Sequence, residues 1–153
     1  MTFIPADEDE FFLRVAEALS GCQLIEQELK LYITEAFDLV RKRVTGQLPF
    51  KLSGDDYQDS SLEKLIGTFR KLCDNETLVL RLNKLKDERN FLSHKAITHC
   101  MDNERGLSYS AVVELEPRLS AIASEAHALR IAIHVEANKF RGHLFFDELK
   151  DVG

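Results

Sequence analysis

The sequence predicts a mainly α-helical protein, a bundle of about four helices of which the first is long. Apolar residues recur at spacings of three and four over most of the chain, which is the period of an α-helix packed on a core. One long stretch with Gly, Pro, Asp and Ser, residues 45 to 61, separates the first helix from the rest. The length of 153 residues is that of a single domain, here residues 1–153.

The first helix is predicted to run from about residue 7 to about residue 45. Pro5 and the acidic run Asp7–Glu10 suit its N-terminal end, and Arg41–Arg43 suit its C-terminal end, because these charges complement the helix dipole. Gly21 destabilises a helix by about 1 kcal/mol relative to Ala, so a helix with a short break near Gly21 is the alternative prediction. On an ideal helix the apolar residues fall within a stripe about 80° wide: Phe11, Val15, Ala18, Cys22, Ile25, Leu29, Ile33, Ala36 and Val40.

Two shorter helices are predicted next. The second spans about Ser61 to Leu72, and Ser60 with Glu63 forms the signature of a capping box at its start. The third begins at about Glu76, with Asn75 as its N-cap. Its apolar stripe consists of Leu78, Leu82, Leu85 and Leu92.

A change of period after His94 predicts a small β-hairpin before the last helix. Residues 96–101 and 107–115 have an extended, partly alternating pattern, and the polar residues 102–106 between them favour a turn. Pro117 is predicted to open the last helix, which runs to about Phe140. Extra Ala, Ile and Val beside the stripe of this helix suggest that it is buried on more than one side: the stripe itself is Leu119, Ile122, Ala126, Leu129, Ile133, Ala137 and Phe140.

Composition and charge exclude several classes of protein. The hydrophobic fraction is 44% and the charged fraction 30%, and no apolar run approaches the roughly 20 residues of a membrane span. The N-terminus is acidic where a signal peptide is basic, and the three cysteines are odd in number and far apart. We therefore expect a cytoplasmic protein without disulfides or contact with a membrane.

The net charge of −6 argues against a protein that holds duplex DNA through wide electrostatic contact. A small basic site is compatible with it, because residues 81–95 are net positive. A solvated helix face of mixed charge is the other interpretation of this segment. Its charged residues are Arg81, Lys84, Lys86, Arg89 and Lys95 against Asp87 and Glu88.

Arg89 lies inside the apolar stripe of the third helix, at a position where another Leu is expected. Burying its guanidinium without a partner costs several kcal/mol. Three arrangements avoid that cost. Arg89 pairs with an internal carboxylate, for which Glu26 of the first helix is a candidate, or it extends to the surface, or it lines a cleft or subunit interface and binds an anion such as phosphate.

His94, five residues further on, adds a group that exchanges protons near neutral pH. RNA carries its own nucleophile, the 2′-hydroxyl, so a base beside a cation that stabilises charge on phosphate is enough for metal-free cleavage. The other interpretation is that His94 caps the last carbonyls of the helix.

The other histidines suggest no site. His94, His99 and Cys100 lack a convincing fourth metal ligand, and no cofactor motif is present. His127 and His134 are predicted to be partly buried structural residues.

The stretch Glu88–Ala96, with Arg89, Asn90 and His94, resembles the signature of HEPN domains: Arg, four to six residues, then His, with a polar residue after the Arg. The mannitol-operon repressor family carries a similar motif on a helical domain. The resemblance implies a homodimer whose two motifs face one cleft, and a metal-independent endoribonuclease of toxin or defence type. His94 would be base or acid, Arg89 would hold phosphate and Asn90 would orient one of them.

Two functions therefore stay open. One is a HEPN-like RNA-binding endoribonuclease, with an antitoxin or regulatory protein as a further partner. The other is a non-catalytic helical interaction module in which the same motif is structural. On one continuous helix Arg89 and His94 point about 140° apart. They serve one site only if the helix ends by about Ser93, or if each completes a site across a dimer interface.

Overall fold

The computed structural model describes the backbone of residues 5–101 and 106–151, with the side chains of residues 8–98, 100–101 and 106–145. Within these ranges the chain forms five α-helices and one 3₁₀ turn. The helices are α1 (Pro5–Val44), α2 (Leu62–Leu72), α3 (Glu76–His94), α4 (Ala96–Cys100) and α5 (Tyr109–Asp151), and the 3₁₀ turn is Gly54–Tyr57. The predicted mainly helical bundle with a long first helix is confirmed.

α1 is one uninterrupted helix that passes through Gly21. The glycine suits a close contact there: a Cβ at Gly21 would lie 3.0 Å from the Cβ of Ala126 on α5. The missing side chain thus lets α1 and α5 approach closely along the middle of the bundle. The predicted stripe of α1 is buried from Phe11 to Ala36, whereas Val40 at its end remains 37% exposed.

The core lies between α1 and α5, with α2 and α3 packed against them. Among the side chains removed from solvent are Ile25, Leu29 and Ile33 of α1 and Leu129 of α5. Burial of each such side chain contributes about 1.5–3 kcal/mol. This burial, rather than helix propensity, holds the long helices together.

Hydrogen-bonded caps define where α2 and α3 begin. The Oδ1 atom of Asn75 accepts a hydrogen bond from the backbone N–H of Leu78 at 3.0 Å, so the predicted N-cap of α3 is confirmed. The N-cap of α2 is Ser61, whose hydroxyl accepts from the N–H of Lys64. The predicted capping box of Ser60 with Glu63 is therefore wrong by one residue, because Ser61 already satisfies the free N–H of the first turn.

The predicted β-hairpin is wrong. The described residues contain no strand and only one isolated antiparallel bridge, between Met101 and Leu107. Residues 96–100 form α4, which buries Ala96 and Cys100 one turn apart. Most of the turn predicted at 102–106 lies outside the described residues.

α5 also begins eight residues before its predicted start, so Pro117 lies inside the helix. Val112, Leu115 and Leu119 explain this: their spacing of three and four places them on one buried face. The free energy gained by burying that face is larger than the cost of the one backbone hydrogen bond that Pro117 cannot donate. The alternating pattern of residues 107–115 led to the wrong prediction because it is too short to distinguish the two periods.

Candidate functional site

The segment that carries Arg89, Asn90 and His94 is the last turn and a half of α3. The helix continues through His94, and the backbone N–H of Lys95 still donates to the carbonyl of Phe91 at 2.8 Å. Arg89 and His94 therefore lie on one helix, about 140° apart around its axis. Within a single chain the structure does not bring the two side chains together in one cleft.

Arg89 forms an ion pair with Glu26 of α1. Its Nη2 atom lies 3.3 Å from Oε1 of Glu26, and the exposed fractions of the two side chains are 35% and 16%. Oε1 of Glu26 is buried, and no described residue gives it a hydrogen bond of good geometry. The contact is therefore a charge–charge contact that neutralises an arginine in an apolar stripe, which is the first of the three arrangements that the sequence left open.

The thiol beside this pair belongs to the core. Cys22 lies one helical turn before Glu26 on α1 and is fully buried. Burial raises the pKa of Cys22 to about 11; the positive charge of Arg89 acts in the opposite direction, and the carboxylates of Glu26 and Glu88 add to the rise. Cys22 is therefore a protonated packing residue and no nucleophile.

Other charged residues on α3 or beside it are also paired within the chain. Arg118 of α5 donates two hydrogen bonds to Glu88, at 2.8 and 2.7 Å, and its guanidinium lies 3.6 Å from the ring centroid of Phe91. Arg81 forms an ion pair with Glu125 of α5. The two arginines of the basic segment 81–95, Arg81 and Arg89, thus both have carboxylate partners. This pairing weakens the attraction of the segment for phosphate.

Asn90 and His94 are exposed. Within the described residues the imidazole of His94 makes no hydrogen bond or ion pair, so the predicted capping of the last carbonyls of α3 is not seen there. Four shallow pockets of the surface are lined by other residues. All three motif side chains nevertheless keep some contact with solvent.

A polar cluster that the sequence did not predict lies at the opposite end of α3. Glu136 of α5 is only 7% exposed, and its carboxylate accepts hydrogen bonds from Asn75 Nδ2 at 2.9 Å and from Lys139 Nζ at 2.8 Å. The Sγ atom of Cys73 lies 3.6 Å from it. Because Asn75 also caps α3, the cluster fixes the start of α3 on α5. The sequence carried one signal for this cluster: Glu136 is a carboxylate next to Ala137, which belongs to the apolar stripe of α5.

The protonation of this cluster suits a structural role. Burial by itself raises the pKa of Glu136, but the hydrogen bonds from Lys139, Asn75 and Cys73 outweigh it and lower that pKa from the usual 4.5. Burial raises the pKa of the Cys73 thiol; the N–H of Asn75 opposes the rise and the carboxylate of Glu136 adds to it. A charged carboxylate beside a protonated thiol holds the helices together and provides no activated nucleophile.

The other histidines whose side chains are described form no metal site. Nε2 of His134 lies 3.0 Å from Oε2 of Glu28 on α1, in keeping with the predicted structural role, whereas His127 is exposed. Among the described side chains, no three His, Cys, Asp or Glu groups gather where a metal ion would bind. The side chain of His99 lies outside the described ones.

No protein-family model, curated protein or solved structure matches the chain. The likeness to HEPN domains therefore rests on Arg89, Asn90, His94 and the helical context alone. Among the described helices, none combines the length and the apolar character that a transmembrane span requires.

Proposed function

We propose that the chain is a non-catalytic helical interaction module of HEPN-like type. The observation that carries the proposal is the ion pair of Arg89 with Glu26. In this proposal Arg89 joins α3 to α1, and His94 is an exposed residue at the end of α3. The motif then serves the fold rather than a reaction.

The position of Glu26 supports the proposal. Its side chain is only 16% exposed and lies on α1, the central helix of the bundle, so it cannot withdraw when an anion approaches. A phosphate bound by Arg89 would meet this carboxylate, and two like charges a few ångströms apart repel each other. A general base is also out of reach in one chain, because His94 points to another side of α3.

A metal-independent endoribonuclease of toxin or defence type is the second candidate. It is favoured by the accessibility of the motif: Asn90 and His94 are exposed, and 35% of the Arg89 side chain is in contact with solvent. A second copy that placed its own motif against this end of α3 would supply the composite cleft that one chain lacks. His94 would then be base or acid, Arg89 would hold phosphate, and Asn90 would orient one of them.

Incubation of the purified protein with single-stranded RNA in a chelating buffer separates the two candidates. We expect no cleavage above a protein-free blank, both for the natural chain and for His94→Ala. Cleavage by the natural chain that disappears in His94→Ala, with an unchanged circular dichroism spectrum, would overturn the proposal and establish the nuclease. Equal cleavage by both proteins would come from a contaminant, since the second candidate requires His94.

A further inference from the structure

The back of α5 presents an uncharged strip to solvent. Between residues 113 and 142, every position within one arc of about 60° on an ideal helix holds an exposed residue without charge, over a length of about 43 Å. The three large aliphatic residues of the strip, Val113, Ile131 and Val135, are 48%, 53% and 54% exposed. Aligned apolar side chains without charges between them are typical of an interaction site. We call these residues the outer face of α5: Val113, Pro117, Ser120, Ser124, Ile131, Val135, Asn138 and Gly142.

The outer face points away from the rest of the bundle. α5 meets α3 through residues such as Arg118 and Glu125, which lie about 110–130° from the middle of the outer face around the helix axis. It meets α1 through Arg130 and Arg141, on a third side. No described part of the same chain covers the outer face.

The outer face is complementary in shape to itself when two copies run antiparallel. If the two-fold axis passes between residues 127 and 128, each of the three large aliphatic side chains lies opposite a glycine or a serine of the second copy. A large side chain that meets a small one lets two helices pack at the usual 8–10 Å. The opposed positions are Val113 with Gly142, Val135 with Ser120, Ile131 with Ser124, and Pro117 with Asn138.

The charges beside the outer face favour the same antiparallel direction. Glu114 and Lys139 lie on one flank, near opposite ends of the face, and Glu116 and Arg141 lie on the other. In an antiparallel pair each acid comes within about 3 Å along the axis of a base from the second copy. Three of these groups also have a partner in their own chain: Lys139 pairs with Glu136, Arg141 with Glu35 and Glu116 with Arg14. The second copy therefore adds to charge contacts that already exist. A parallel pair places like charges together. Exposed pairs of this kind add little affinity, but they select orientation.

We infer that the outer face of α5 docks a second copy of this chain in antiparallel orientation. The inference deepens the proposed function by naming the partner of the interaction module. The shallow groove of about 260 Å³ between α1 and α5, lined by Leu24 and His127 among others, adjoins the contact. α3, which carries Arg89 and His94, meets α5 about 110–130° away from the middle of the outer face, so such a dimer would not bring the two motifs together in one cleft.

Light scattering on a sizing column tests the contact. We expect the natural chain to be a dimer at micromolar concentration, and Ile131→Glu and Val135→Glu each to raise the dissociation constant at least 100-fold. Leu80→Glu is the matched control, because Leu80 is 64% exposed but belongs to α3; it should leave the dimer intact. A monomeric natural chain, or a dimer that only Leu80→Glu dissociates, refutes the inference.

Cysteine cross-linking tests the orientation. Ala128→Cys brings two thiols close to the proposed two-fold axis and should give a covalent dimer under mild oxidation, whereas Lys95→Cys, beside the motif, should not. The natural chain controls for its own three cysteines. Cross-linking through Lys95→Cys alone overturns the inference in favour of facing motifs. A monomer that leaves RNA intact would refute this inference while the proposed function stands, and an RNA-cleaving protein refutes the proposed function whatever its oligomeric state.

Discussion

Removing the charge of Arg89 should destabilise the protein because Glu26 would be left charged and largely buried. The perturbation is Arg89→Gln, which keeps a polar side chain of moderate length. Breaking a fully buried ion pair costs about 3–5 kcal/mol, and an exposed pair contributes about 0.2–1 kcal/mol. With exposed fractions of 35% for Arg89 and 16% for Glu26, the pair lies between these limits. We expect Arg89→Gln to lower the free energy of unfolding by about 1–2 kcal/mol.

A double-mutant cycle with Glu26→Gln isolates the pair. Glu26→Gln alone should cost less than about 1 kcal/mol, because the remaining guanidinium is partly exposed and turns to water. The double variant should be more stable than the sum of the two single changes implies, by a coupling energy of about 1 kcal/mol. Urea unfolding followed by circular dichroism, at one fixed protein concentration, measures all four proteins.

The exposed pair of Arg81 with Glu125 provides the matched control, since the exposed fractions of its side chains are 40% and 42%. Arg81→Gln should change the free energy of unfolding by less than about 0.5–1 kcal/mol. A coupling energy near zero for Arg89 and Glu26, or equal effects of Arg81→Gln and Arg89→Gln, would contradict a structural role for the pair.

Two further changes test other parts of the fold. Pro117→Ala should raise the free energy of unfolding by about 1–3 kcal/mol, seen as a higher Tm, because it restores a donor inside α5 at an exposed position. Stability should also fall as the pH drops through the lowered pKa of Glu136, since that carboxylate stabilises the fold only when ionised. Glu136→Gln should remove this part of the acid sensitivity in urea titrations at several pH values.

Each of these two predictions has its own control. Gln27→Ala, at an exposed position of α1, should change Tm far less than Pro117→Ala, and a lower Tm for Pro117→Ala would show that the proline ring contributes packing there. For the acid effect the sign follows from linkage: a pKa lower in the folded state than in the unfolded state gives stability that is complete above the unfolded value and is lost below it. An unchanged pH profile in Glu136→Gln would assign the acid sensitivity to other carboxylates.

The helical periodicity of the sequence was sufficient to predict most of the bundle. α1, α2 and α3 follow from apolar residues spaced three and four apart together with local signals such as Asn75, because both depend only on neighbours along the chain. The same local patterns failed between residues 96 and 117. The alternating pattern there was short. The segment instead forms a helix that includes Pro117, because a helix buries Val112 and Leu115 against the core.

The sequence by itself also selected Arg89 as a residue that needs an explanation, and it named Glu26 as a candidate partner. It could not choose between that carboxylate, the surface and a bound anion, because the choice depends on how α1 and α3 lie against each other. The cluster of Glu136, Asn75 and Cys73 was missed for the same reason: its members are 61 or more residues from Glu136 along the chain. Periodicity determines which residues are buried, whereas only tertiary packing determines which buried charges meet, because an ion pair depends on distances between helices that no local pattern records.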